Sequence, residues 1–379
     1  MLLLKNATVY APEKVGERDV LLVNGRVAAV DANLTVSLPG LDVIDARGLI
    51  VTPGLIDQHI HVTGGGGEGG PVSRVPEIPF SALVSSGTTT VVGVLGTDSV
   101  TRSVHALLAK IRALTSEGIS GWMYTSNYAL PPSLLSGSIR NDLFLVPEIV
   151  GVKIAFADHR CSFPTIDEMM RILSDVRVGG MIAGKLGVLH IHMGDLPDGF
   201  AMFEEIVGRG MPVKHIRPSH CARDKNLFAG AVAFNKRGGI IDITSGGTCF
   251  SSPAAVIRQL LDEGADMKGV TMSTDGGGSI PRFDEKGTMV GLGTGSPSAN
   301  LELLRTLVTK DGLDLELVLP MVTSNVALNL GLTGKGALVP GMDADVCCFT
   351  QDLELRHVIA KGKVLMRDGV LKAKGMFEE

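Results

Sequence analysis

Asp57, His59 and His61 alternate along Gly54-Leu55-Ile56-Asp57-Gln58-His59-Ile60-His61-Val62. In an extended strand such alternation sends all three to one face and Ile56, Ile60 and Val62 to the other. Two imidazoles so placed can clamp a divalent metal, although an ordinary polar face shows the same pattern. Residues of the same kind recur downstream: His190 and His192, His215 and His220, and Asp275 directly ahead of Gly276-Gly277-Gly278. Lys153 is the odd member of the set. It interrupts the apolar run Val150-Gly151-Val152-Lys153-Ile154-Ala155-Phe156, where an ammonium is costly unless paired or neutralised. One reading buries the stem and pairs the head with a carboxylate. The other is chemical: an amine of lowered pKa adds CO₂, and the resulting carbamate is a carboxylate long enough to bridge two metals.

Residues this far apart in the chain need a scaffold that gathers them. Apolar runs near 55–62, 88–95, 119–126, 149–156, 186–192, 211–218, 239–244 and 269–274 alternate with helical periodicity, the pattern of repeated βα units. One helix is well marked: Val104, Leu107, Leu108, Ile111 and Leu114 form an apolar stripe, with Ser99 as its N-cap and Gly118 beyond its end. Eight units in about 280 residues suit an α/β fold of the (β/α)₈ TIM-like barrel type, with sites at the C-terminal strand ends. A doubly wound open sheet is the alternative. Both termini read as short strands, punctuated by Asn24-Gly25, Lys361-Gly362 and Asp368-Gly369, which are hairpin signals. Neither end buries much alone, so one small β-sandwich domain built from both termini is expected, residues 1–52 and 336–379 flanking a barrel over 53–335.

Composition narrows the partners. The 379 residues carry a net charge of −5 with no basic run, which argues against nucleic acid. No stretch approaches the roughly 18–20 apolar residues of a membrane helix. Met1-Leu2-Leu3-Leu4 is broken by Lys5 and does not form a signal peptide. The five cysteines show no CxxC spacing, consistent with reduced packing residues in a cytoplasmic protein. Glycine is the unusual component, 48 residues, crowded at 64–67, 69, 70 and 276–278, in two loops that must approach something closely.

His-x-His on the first strand, Lys on the fourth, His on the fifth and sixth and Asp on the eighth, with the segment Pro53 to His61, resemble the amidohydrolase superfamily. The split terminal β domain fits as well. That resemblance implies one metal held by His59, His61 and Asp275, a second held by His192 and His220, and a carbamylated Lys153 bridging both. Two Zn²⁺ per subunit are expected, with Co²⁺, Mn²⁺ and Ni²⁺ as alternatives.

Within the superfamily the chain is similar to the isoaspartyl dipeptidase family, through His61 to Pro71, Leu95 to Ser99, Tyr128, Lys153 with Arg160, His192-Met193-Gly194, His220 to Arg223 and Thr274 to Ser279. The activity implied is a metallo-dipeptidase cleaving β-aspartyl (isoaspartyl) dipeptides, a metal-bridging hydroxide attacking the side-chain amide carbonyl. Asp275 would move the proton and Tyr128 would stabilise the oxyanion. Glu68 would pair with the substrate ammonium, Arg160 and Arg223 with carboxylates, and Gly66, Thr97 and Ser279 would add neutral contacts. The same resemblance implies a homo-oligomer, an octamer, acting on a small dipeptide. Arginine and glutamate at a barrel mouth also read as ordinary solvated residues. The competing functions are a cyclic amidase of the hydantoinase or dihydroorotase type and a non-catalytic scaffold of amidohydrolase shape.

Overall fold

A computed structural model of the chain describes residues 1–197, 199–283 and 289–378. Its centre is eight parallel strands, β1 (Leu55–Ile60), β2 (Thr88–Gly93), β3 (Ser120–Thr125), β4 (Ile149–Phe156), β5 (Val188–Met193), β6 (Ile216–Ser219), β7 (Ile241–Thr244) and β8 (Val270–Ser273). A helix follows each one, beginning at Phe80, Val104, Ile139, Ile166, Ala201, Lys225, Pro253 and Ala299. The strands are buried on both faces, as expected where helices cover a parallel sheet.

Hydrogen bonding divides the strands differently from the single eight-stranded ladder of the expected barrel. Strands β1 to β6 form one parallel sheet in chain order, and β7 and β8 pair separately. The links between the two groups lie just past strand ends: Cys221 N–H donates to Asp242 O at 3.1 Å, Asp275 N–H to His59 O at 3.0 Å and His61 N–H to Gly276 O at 2.7 Å. There the chain has left extended geometry, since His220 and Asp275 have φ of 62° and 52°, and a left-handed residue ends a regular ladder.

The helix Val104–Glu117 buries Val104, Leu107, Ile111 and Leu114, and Gly118 ends it with φ 139°. Its N-cap is Ser103, not Ser99: the Ser103 hydroxyl accepts from Ala106 N at 3.1 Å. Ser99 is four residues early, in a turn where Asp98 Oδ1 accepts from the Val100 and Thr101 amides at 3.2 and 2.8 Å. Ser103→Ala should lower stability by ~1 kcal/mol, read as a lower midpoint in urea, whereas Ser99→Ala should leave it unchanged. Strand β6 also starts later than the 211–218 run predicts, because Pro212 leads into a 3₁₀ turn at Val213–His215.

Both chain ends build the second sheet, whose nine strands run from Leu2–Tyr10 to Val370–Leu371. The sheet branches at its first strand. Leu2 to Lys5 pair with Asp42–Asp45, while Thr8 and Val9 pair with Ile50–Val51. Val346–Phe349 joins the C-terminal half by running antiparallel to Ile50–Pro53. Period-2 alternation then sorts its side chains: Val346 and Cys348 enter a core with Leu4, Val9 and Leu22, while Cys347 and Phe349 face the core of the βα units. The three hairpin pairs expected from sequence adopt positive φ at both residues, 49° and 75° at Asn24-Gly25, for example, as a two-residue turn requires. Among the described residues no helix is long and apolar enough to cross a membrane.

Candidate metal centre and substrate pocket

The candidate residues converge at the C-terminal ends of the eight strands. His59 lies in β1 and His61 just past it, Lys153 is in β4, His192 in β5, His220 follows β6 and Asp275 follows β8. Ligand atoms of His59, His61 and Asp275 lie within 4.8 Å of one another. Asp275 Oδ1 is 3.2 Å from His61 Nε2 and 3.6 Å from His59 Nε2. The His220 ring centroid is 4.7 Å from that of His59 and 4.4 Å from that of His192, so the imidazoles form a contiguous wall. Lys153 is fully buried and its Nζ donates to His59 Nε2 at 3.0 Å.

The electrostatics suit a metal. Burial first, then neighbouring cations, hold His59, His192 and His220 well below the usual imidazole range, leaving them neutral as ligands must be. Burial pushes Lys153 down to about 7. Burial would raise the Asp275 carboxyl, but His61, His220 and Lys153 hold it at about 2. His61 Nδ1 and His220 Nε2 are buried without a hydrogen-bond partner, an arrangement that costs free energy unless something else binds them. Neutral imidazoles, a carboxylate and two orphaned ring nitrogens therefore fit a divalent-ion site.

Backbone strain helps place the ligands. Ser126, Ala157, His220 and Asp275, all within two residues of a strand end, have φ of 73°, 53°, 62° and 52°, each costing about 1–3 kcal/mol in a non-glycine residue. The second glycine loop explains itself at Gly278, where a Cβ would fall 2.6 Å from Asp275 Oδ1. At Gly66, φ is 82° and a Cβ would meet Ser73 O at 2.2 Å.

A cavity of about 480 Å³ opens above the ligands. His61, His192, His220 and Asp275 line it, and Gly66, Glu68, Thr97, Tyr128, Arg160, Arg223 and Ser279 also face it. Glu68 Oε1 accepts from Arg160 Nη1 at 3.0 Å and from the Ser279 hydroxyl, while its Oε2 is buried without a partner. The Tyr128 hydroxyl lies 2.6 Å from His192 Nδ1. Burial pushes its pKa well above the usual phenol value, so it stays a hydrogen-bond donor.

Other singled-out residues fall elsewhere. His190 lies behind the site, its Nε2 2.9 Å from His59 Nδ1 and its ring stacked 4.5 Å from that of Tyr124. His215 bonds to Gly187 O below, and His159 is an exposed residue at the cavity rim. Asp57 holds β1 to the end of β8, bonding to the Thr274 hydroxyl and accepting from Thr274 N at 3.3 Å.

Two buried carboxylates lie outside the motifs of the sequence. Asp242 accepts from Ser219 Oγ and Ser273 Oγ at 2.6 Å each, Gln58 Nε2 at 2.6 Å and Thr271 Oγ1 at 3.0 Å. Ser219 Oγ is in turn 3.0 Å from His59 Nδ1. Asp158 forms a fork with Arg160 and approaches His192. The only sequence signal for it was its place two residues ahead of Arg160.

The amidohydrolase family profile matches residues 50–365, and the chain belongs to that family. The likeness extends to a particular member. Two crystal structures of β-aspartyl dipeptidase from Fervidobacterium islandicum AW-1, the first in complex with β-Asp-Leu dipeptide, are 42% and 40% identical to this chain. Each covers 98% of both chains, with TM-scores of 0.92 and 0.90. A D-hydantoinase superposes with a TM-score of 0.70 at 15% identity over 100% of this chain and 98% of its own, a likeness of fold alone. Among curated proteins, dihydroorotase of Aquifex aeolicus is 44% identical over 63 residues, 16% of this chain and 14% of that one. Adenine deaminase 3 of Rhizobium meliloti is 25% identical over 385 residues, 96% of this chain and 57% of its own length. The chain thus spans only part of the curated relatives it matches.

Proposed function

We propose that this protein is a metal-dependent dipeptidase that hydrolyses β-aspartyl dipeptides. In this reading the eight βα units act as a (β/α)₈ barrel, His59, His61 and Asp275 hold one divalent ion, and His192 and His220 hold a second. Lys153, as a carbamate, would add a carboxylate to the ligand set. Zn²⁺ is the preferred metal, and the working form is a cytoplasmic homo-oligomer.

The reading rests on one observation: Glu68 faces the same cavity as two arginines and the histidine and aspartate cluster. A β-aspartyl dipeptide presents a free ammonium and a carboxylate beside the scissile amide, with a second carboxylate on the leaving residue. Glu68, with its unpartnered Oε2, takes the ammonium, and the guanidinium groups take the carboxylates. A cyclic amide has no ammonium to set against Glu68. Divalent ions held at the cluster would supply hydroxide at neutral pH and polarise the amide carbonyl. The Tyr128 hydroxyl donates to the carbonyl oxygen as it gains charge. Asp275 accepts the proton of the attacking water and returns it to the departing amine. Neighbouring strand ends hold these groups in place, so little reorganisation accompanies the reaction.

A substrate panel tests this. β-Asp-Leu should be cleaved, whereas γ-Glu-Leu, one methylene longer, should be slower by roughly 10–200-fold, and α-Asp-Leu should be cleaved poorly if at all. The second reading, a cyclic amidase, draws on the 63-residue likeness to dihydroorotase. Ring opening of dihydroorotate or hydantoin, with β-Asp-Leu left intact, would establish it instead.

A further inference from the structure

Glu68 is carried by a loop with little stiffness of its own. Gly64 to Gly67, Gly69 and Gly70 surround it, and glycine loses more backbone freedom on ordering than any other residue. The loop leaves the end of β1 and doubles back, with Gly66 bridged to Arg74. At its neck Val75 N donates to Gly65 O at 3.0 Å and Gly65 N to Gly277 O at 2.8 Å. A Cβ on Gly64 would fall 2.0 Å from Val75 O. A side chain from another element crosses that neck. Arg102, between β2 and the helix Val104–Glu117, donates from Nη1 to Thr63 O and from Nη2 to Val75 O, the second at 2.7 Å. Among the described residues its hydrogen-bond partners are these two carbonyls and no carboxylate, and its Nε is buried without a partner. A cation just ahead of a helix N-terminus also gains nothing from the helix dipole, so the helix that follows does not explain it. The same segment brings Asp98 against the loop, where a Cβ on Gly67 would lie 3.3 Å from the Asp98 Cβ.

We propose that Arg102 is a positioning residue: its guanidinium staples the two sides of the glycine loop, at Thr63 and Val75, and thereby holds Glu68 in the cavity wall. A guanidinium presents paired donors in a fixed planar fork, so bridging two carbonyls costs it less freedom than it would cost a lysine. Tying the neck shortens the stretch of glycine-rich chain left free to open, and Glu68 lies within that stretch. The staple rests on the geometry of the loop. Its effect on turnover rests on the dipeptidase reading.

Arg102→Ala tests this by two readouts. Hydrogen exchange of the loop amides, followed by mass spectrometry on peptides covering 62–79, should quicken about tenfold or more while exchange in the other strands holds. For β-Asp-Leu, kcat/KM should fall about 10–100-fold through the loss of two hydrogen bonds from a charged donor. In a Glu68→Gln background the same substitution should cost less than about threefold, because residues acting through one another are not additive. Loop exchange within about twofold of the parent, or an equal loss of kcat/KM in both backgrounds, would overturn the proposal. Should Arg102→Ala not fold, Arg102→Lys runs the same cycle, with smaller losses expected in the same pattern. Parental exchange and parental kcat/KM in Arg102→Lys would also overturn it, since a single ammonium would then serve where paired donors are claimed. If the parent fails to cleave β-Asp-Leu, the dipeptidase reading fails while the exchange measurement still decides the staple.

Discussion

Lys153→Ala is expected to abolish the paired metal site and to lower kcat/KM by about a thousandfold or more, ~4 kcal/mol at about 1.4 kcal/mol per decade. The buried lysine is otherwise hard to account for. Among the described residues its hydrogen-bonding contact is the His59 imidazole, and the carboxylates of Asp275 and Asp242 favour its charged form only from a distance. Burial lowers its pKa to about 7, which makes the free amine, the form that adds CO₂, readily available near neutrality. Its neighbours, four imidazoles and Asp275, are the company a bridging carboxylate would keep. Metal analysis of the purified variant gives the clearest reading: two ions per chain retained, with full activity, would remove the carbamate from the scheme. A short carboxylate such as propionate, added in excess, should restore part of both properties by filling the vacated volume with an equivalent anion.

Glu68→Gln should cut kcat/KM by about a hundredfold without changing metal content. Glu68 belongs to the cavity wall and not to the ligand set: its contacts are Arg160 and Ser279, and the amide keeps its shape while losing its charge. Removing one member of a buried, hydrogen-bonded charge pair costs about 2–5 kcal/mol or more, and the variant gives up the charge that faces Arg160 as well as the one offered to the substrate ammonium. The loss should be specific to substrates with a free α-ammonium, so the N-acetylated dipeptide, already a poor substrate, should be little affected. A parallel loss of metal in Glu68→Gln would instead mean that the glutamate supports the ligand shell.

Much of the scaffold was legible because its signals are local. Strand alternation, the Val104 to Leu114 stripe and the Asn24-Gly25 turn depend on backbone geometry over a few residues, and all appear where the sequence places them. The misplaced N-cap and the late start of β6 are boundary effects, decided by a turn around Asp98 and another after Pro212. Less legible was how the strands bond. The split into six and two, and the branching of the terminal sheet at Leu2–Tyr10, depend on long-range registers that period-2 alternation leaves open.

The amino-acid sequence by itself determined the chemical inventory of the site: the His-x-His pair, the out-of-place Lys153, Asp275 before its glycines, and the charged residues of the rim. Residue type and alternation are properties of single strands, and the strand ends are where such folds carry chemistry. Only the tertiary structure decided which members meet. It set His192 in the cavity and His190 behind His59, although both lie on the same face of β5. It also closed Arg160 onto Asp158 while leaving Arg223 open. Those outcomes depend on how far each strand end reaches and on which loop folds across it, distances that no spacing within a single strand encodes.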